Sequence, residues 1–287
     1  MDAYLTQNFV RPYLFEHLHI RGSLVRLRAV WQQLQDGRDY APPVARLLGE
    51  MSAITALLAA NLKQAGRITF QLKGNGPVNL LVLDCDQQLR LRGMARAEPE
   101  VADNHATTLL GDGQLAFTLE SADQPQPYQS LVPLAGETIA AIFEHYLEQS
   151  EQLPARLYLA SNGEVVAGLF LQKMPGADEA DADGWNRIQI CASTVQPDEL
   201  TDLSSVNLLR RLFVEEDIRL FDPRPVTYHC PEDWSKVAAM LRTLGRAECE
   251  SIVEERGEIH IHDDICLRDY RFDGPMIAAL FDAPAPK

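Results

Sequence analysis

The stretch RITFQLKGNGPVNLLVLDC, Arg67 to Cys85, decides how the first half of the chain is read. Ile68, Phe70 and Leu72 alternate with polar residues, the two-residue period of a half-buried strand. Gly74-Asn75-Gly76-Pro77 supplies turn chemistry, and Val78 to Cys85 resumes a strand. Strand, turn and strand in such close order predict a meander. Outward from it, LRLRGMARA (Leu89 to Ala97) and GQLAFTLE (Gly113 to Glu120) read as further strands. RLYLAS and VVAGLFLQKM form a strand pair about the turn SNGE. Between them ETIAAIFEHYLEQSEQ (Glu137 to Gln152) carries Ile139, Ile142, Phe143, Tyr146 and Leu147 at helical spacing. The expected class is α+β, a mixed α/β core with strands in meanders and helices grouped between them.

The first sixty-odd residues read as partly helical. VRLRAVWQQLQ (Val25 to Gln35) is a strand running into a helix, and Pro42-Pro43 opens a long apolar helix that Gly66 follows as a stop signal. Its window, Val44 to Lys63, carries Arg46, Glu50 and Lys63, which favours a buried helix over a membrane span. Downstream, PGADEADADG (Pro175 to Gly184) is acidic and small, and reads as a mobile boundary or a long surface loop. SSVNLLRRLFVEED (Ser204 to Asp217) is a helix capped by Ser204 or Ser205, with Leu208, Leu209, Leu212 and Phe213 as its apolar stripe. FDPRP (Phe221 to Pro225) breaks the chain. The last unit holds a strand VTYHC, a helix SKVAAMLRTL, a second helix AECESIVEE and a strand around GEIHIH. The expected division is a core domain over 1–176, an acidic boundary and helical linker over 177–225, and a small α+β unit over 226–287. A unit that small commonly needs a metal, a disulfide or a docking partner.

Composition narrows the function. A net charge of −15 argues against nucleic acid as a partner, because phosphate binding needs clustered cations. Five scattered cysteines are unlike a secreted disulfide framework, and no basic-plus-apolar leader opens the chain, so a cytoplasmic protein is expected. Cys85 and Cys191 lie in mixed apolar runs and read as packing residues. Enzyme signatures are weak: GNGP and GDG are not in a strand-to-helix context, and neither GxSxG nor HExxH occurs. His229 beside Cys230 in a strand would point to the opposite face, which disfavours a catalytic pair.

The segment IHIHDDIC, residues 259–266, concentrates His260, His262, Asp263, Asp264 and Cys266. In a strand His260, His262 and Asp264 share one face, which is a metal-ligand set or simply a polar edge. Cys230 and Cys266 flank the whole helical unit; they are candidate zinc thiolates, a disulfide pair, or inert.

Several collinear stretches resemble the 33 kDa chaperonin family of redox-regulated heat-shock holdases: YLFEHLHIRGSLV (Tyr13 to Val25), ITFQLKGNGPVNLLV (Ile68 to Val82), LRGMAR (Leu91 to Arg96), YLEQSEQLPARL (Tyr146 to Leu157) and AGLFLQKMP (Ala167 to Pro175). VTYHC and GEIHIHDDIC continue the resemblance. It implies a core domain, a helical linker and a small zinc domain whose pattern is C-x-C, some thirty residues, then C-x-x-C. On this chain those four positions fall at Cys230, Glu232, Asp263 and Cys266, with thirty residues between the middle two. Two of the four thiolates are therefore replaced by carboxylates.

In the family, oxidation forms a disulfide within each cysteine pair, releases zinc, and unfolds the small domain and linker to expose a client surface. Neither paired disulfide can form here, and a single Cys230–Cys266 bond is the redox pairing that the resemblance leaves. Zinc would need Cys230 and Cys266 completed by two of His229, Glu232, His260, His262 and Asp263. Carboxylate in place of thiolate weakens a soft-ligand site, so the expectation leans to a fold that holds without zinc. The resemblance thus implies an ATP-independent holdase of the stress response that binds unfolded clients through Leu208, Leu209, Leu212, Phe213 and the core. Its thiol switch would be altered or lost, and it would be a monomer or a homodimer. The alternative is a binding partner dedicated to one protein; a metal enzyme built on the His/Cys/Asp cluster is the third reading.

Overall fold

The computed structural model describes residues 7–62, 65–99, 101, 105–121, 123–124 and 126–282, so Lys63 of the apolar window lies outside it. Residues 1–229 form one compact unit and residues 230–287 a second.

The first unit opens on two strands, β1 (Asn8–Phe15) and β2 (Ile20–Leu27), in a region the sequence reads as partly helical; the strand running into helix at Val25–Gln35 is the end of β2 followed by α1. Pro12 interrupts β1, which hides its strand character from a local reading. Helices α1 (Ala29–Gln35) and α2 (Pro42–Ala60) follow as expected. The meander is β3 (Gly66–Lys73), β4 (Val78–Asp86) and β5 (Arg90–Ala97), then α3 (Ala106–Leu110), β6 (Gln114–Ser121) and β7 (Tyr128–Val132). Next come α4 (Ile139–Glu151) and the hairpin β8 (Ala155–Ser161) and β9 (Val166–Lys173). The sheets run β10-β1-β2-β9-β8, with β11 also paired to β1, and β12-β5-β4-β3-β6-β7, where β10 is Ile218–Leu220, β11 Arg224–Pro225 and β12 Thr227–Tyr228. Helix α2 lies in the apolar core with side chains from both sheets. Among the described residues it is the one helix long and apolar enough to cross a bilayer, and most of it is buried inside the protein.

Both faces of the first sheet are covered. Val10, Val25, Leu27, Val166 and Phe170 point into the core around α2. Their neighbours Phe9, Tyr13, Phe15, Leu24 and Leu169 point to the other face. This explains the unbroken apolar run of β9, since a strand buried on both sides has no reason to alternate. Tyr13 lies across Gly22 on the neighbouring strand, where any Cβ would collide with its ring.

The acidic stretch after β9, read from the sequence as a mobile boundary or a long surface loop, holds a short helix and packed contacts. Ala177 is buried in a one-turn helix, α5 (Ala177–Ala180), and Lys173 holds Asp178 at 2.6 Å. Three further helices, α6 (Gly184–Ser193), α7 (Pro197–Asp202) and α8 (Ser205–Leu212), pack within the first unit; the sequence reading found only α8. The FDPRP break contains β11 and is preceded by β10, both set by pairing with β1. VTYHC supplies only the short β12, which pairs in parallel with β5 of the first unit.

The second unit comprises α9 (Trp234–Leu244), α10 (Arg246–Arg256), the antiparallel hairpin β13 (Ile259–Asp263) and β14 (Arg268–Phe272), and α11 (Gly274–Asp282). Its core is small: Leu241, Cys249, Ile259, Tyr270, Phe272 and Ile277.

Candidate functional site

The sheet face away from α2 is closed by α6, α7 and α8. The Ser204 hydroxyl caps α8 by accepting the Asn207 N–H at 3.3 Å, starting the helix where the sequence reading placed it. Leu208, Leu209, Leu212 and Phe213 are all buried and share one cluster with Phe9, Phe15 and Leu24 of the sheet. Phe213 meets Phe15 edge to face, ring centroids 5.0 Å apart. Burying four such side chains gains about 6–12 kcal/mol. Fixing the backbone of the eight residues of α8 costs a similar amount, so its cover is finely balanced.

Polar contacts orient the same helices. Arg26 of β2 donates to the carbonyls of Leu200 and Leu203, capping the end of α7, and the Tyr158 hydroxyl donates to the Gln189 carbonyl at 3.4 Å. Arg187 joins Asp181 at 3.0 Å and Glu216 at 2.8 Å, and Arg211 joins Glu199 at 2.7 Å. None of these contacts is legible locally; Arg26 and Leu200 are 174 positions apart.

In the second unit Cys230 and Cys266 are joined by a disulfide, with Cα atoms 5.7 Å apart. Glu232 pairs with Arg268 at 3.1 Å and accepts the Trp234 indole N–H at 3.1 Å. Asp263 turns inward on its own loop, its Oδ1 accepting the N–H groups of Ile265 and Cys266 at 2.9 and 3.3 Å. His260 and His262 share a strand face, as expected, and meet a residue the sequence reading missed. His260 Nε2 and His262 Nδ1 lie 2.7 and 2.8 Å from Asp269 Oδ1. These bonds hold the Asp269 carboxyl below its ordinary range, His262 first and His260 second. Asp264 lies 3.8 Å from His262 Nε2, just beyond the strand. His229 belongs to the first unit, where its N–H donates to the Leu91 carbonyl.

In this bonded state the set lacks the thiolate donors of a structural zinc site. Disulfide sulfurs offer no thiolate, and both carboxylates at the replaced positions are engaged with protein groups. Among the described residues no group of three or more His, Cys, Asp and Glu side chains is arranged to hold a metal ion. The other cysteines pack: Cys85 is buried, which pushes its thiol up, and Cys249 is buried with its sulfur 3.5 Å from the Leu241 carbonyl.

The Hsp33 protein family model matches residues 8–273. A 33 kDa chaperonin of Methylobacillus flagellatus is 41% identical over 271 residues, covering 94% of this chain and 92% of that protein. One of Shewanella putrefaciens is 40% identical, covering 96% of each. The crystal structure of the Thermotoga maritima 33 kDa chaperonin superposes with a TM-score of 0.80 at 21% identity, over 96% of this chain and 98% of that one, which shows a shared fold. The chain is a holdase chaperone and belongs to the Hsp33 family.

Proposed function

We propose that unfolding clients bind the outer face of the first sheet together with the stripe Leu208, Leu209, Leu212 and Phe213, once the helices over 177–225 separate from residues 1–176. One observation carries this reading: the helices and the sheet face bury apolar side chains against each other. Separated, each becomes a contiguous apolar surface, the kind that captures unfolded chains without regard to sequence. The net charge of −15 keeps a loaded complex in solution. In this reading the protein works in the cytoplasm, without ATP or catalysis, as a monomer or homodimer.

The control element in this reading is the small second unit, residues 230–287. Its regulation by four thiolates and zinc is replaced by one bond, Cys230–Cys266, with no zinc required. That bond closes a loop between residues 36 positions apart. Oxidation here staples the small unit, whereas the family's local disulfides release it.

The test is suppression of heat-induced client aggregation by wild type and by Cys230→Ser/Cys266→Ser, in reductant and after peroxide. Protection by the double variant supports the reading. Loss of all protection in a folded variant would falsify it. Capture of a single protein, with no general protection, would replace it by the dedicated-partner reading. Metal analysis of protein purified without chelator tests the zinc statement, and a stoichiometric ion would overturn it.

A further inference from the structure

Glu50 is the one acidic residue of the largely apolar helix α2, and its side chain is 17% exposed. It borders a cavity of about 270 Å³ whose other walls are Thr138 and Ala140 from the start of α4, Leu157, Tyr158 and Leu159 of β8, and the linker residues Val195, Pro197 and Leu200. The linker therefore lines the same cavity as the carboxyl group, and the side chains it presents there, Val195, Pro197 and Leu200, are apolar. We propose that Glu50 is a proton-operated latch on the linker: a proton on its carboxyl holds α7 against the core, and loss of that proton loosens it. This deepens the client-binding reading above and rests on it.

The groups facing Glu50 are few. Arg46, one turn earlier on α2, lies 3.8 Å away. A second cavity of about 230 Å³ brings His105 and Glu137 to its other side, and Tyr158 faces it from β8. The acids of α7 are turned elsewhere: Glu199 pairs with Arg211, Asp202 accepts the Thr201 hydroxyl, and Asp198 is exposed. Burial outweighs the attraction of Arg46 and raises the Glu50 carboxyl from 4.5 to about 7.

The sign follows from linkage. A carboxyl raised in the closed state stabilises closure fully below pH 4.5, and that stabilisation is lost as pH rises to about 7. Opening the linker hydrates the carboxyl and releases its proton. Across the interval from 4.5 to about 7 the opening constant can rise by up to roughly 300-fold, and above it the constant is flat. Walls of the cavity that stay in place when the linker opens reduce this ceiling.

Hydrogen exchange of α6 to α8 in the full-length protein, corrected for intrinsic rates and compared with β3 and β4 as an internal control, is the test. Wild type should open at least tenfold more readily at pH 7 than at pH 5, with little change to pH 8. Glu50→Gln should flatten this dependence, and Arg46→Met should move its midpoint upward by removing the cation. An unchanged pH dependence in Glu50→Gln would overturn the latch, as would an equal response in β3 and β4. If Glu50→Gln fails to fold, an unmoved midpoint in Arg46→Met overturns it. Client protection measured alongside separates the two ideas: exchange that follows Glu50 without any protection of clients keeps the latch and removes the client-binding reading.

Discussion

In residues 1–229 a six-stranded sheet is covered on both faces, one by the core around α2 and the other by helices that come later in the same chain. In residues 230–287 six buried side chains make the core, and one covalent bond ties its first residue to the loop of its hairpin. The first unit closes an apolar surface with a cover whose gain and cost nearly cancel. The second has too little core to spare any, so a bond that shrinks the unfolded ensemble weighs heavily. In the proposed reading the same chain has two kinds of opening: one graded by heat and protons, the other set by electrons.

The sharpest way to break this comparison is to reduce Cys230–Cys266. In the chain-entropy account a loop of that length contributes about 4 kcal/mol. Dithiothreitol should abolish amide protection in α9 to α11 while leaving β1 to β9 protected. Retained protection in the small unit would show that its apolar core suffices and that the bond is incidental.

The next largest effect belongs to the linker. Leu209→Ala removes a buried side chain and should cost about 3 kcal/mol of cover. Exchange in α6 to α8 should quicken and client protection should increase, even without heat. Slower exchange, or no change in protection, would separate the cover from chaperone action.

Arg26→Met keeps an unbranched stem and deletes two hydrogen bonds to the end of α7. A loss of about 2 kcal/mol is expected, localised to α7 by exchange. A global loss would mean that Arg26 supports the sheet instead.

The smallest effect concerns the exposed hairpin. The Asp269 carboxyl is held below its ordinary 3.8 by its two histidines, so its contribution is present above that pH and lost as pH falls through the lower, folded value. Asp269→Asn should remove this acid-side step from the β13–β14 amides, and salt should mask the difference. An unchanged step would assign it to another carboxyl.

The legible parts of the molecule are those where one periodicity dominates. Arg67 to Cys85, the β8–β9 hairpin, α8, α9, α10 and β13 follow from alternation or helical spacing and a nearby turn or cap. Helices α6 and α7 stayed hidden because so few of their residues face the sheet, Ile188, Ala192 and Leu200 among them. Strands β10, β11 and β12 span three, two and two residues, too short for any period, and exist because a neighbour pairs with them. For the site, the resemblance to a family brought Cys230 and Cys266 together, while spacing alone left zinc, disulfide and inert thiols open. Asp269 was missed because its partners lie across a hairpin whose second strand carried no apolar alternation strong enough to read. The run VVAGLFL did carry unread information: apolar side chains on both faces announce a cover on each.

The route of the chain after β9 has a mechanical consequence. The segment over 174–217 leaves the first sheet at β9 and returns to it at β10, and the chain then pairs again through β11 and β12. Both ends of the cover are thus anchored on the unit it covers. Released, it is a leash and not a free arm. A leash of that length, drawn taut as a doubled strand, reaches about 70 Å from its anchors. Recapture is therefore first-order and independent of protein concentration. A client held on the sheet would compete with a neighbour that can never diffuse away.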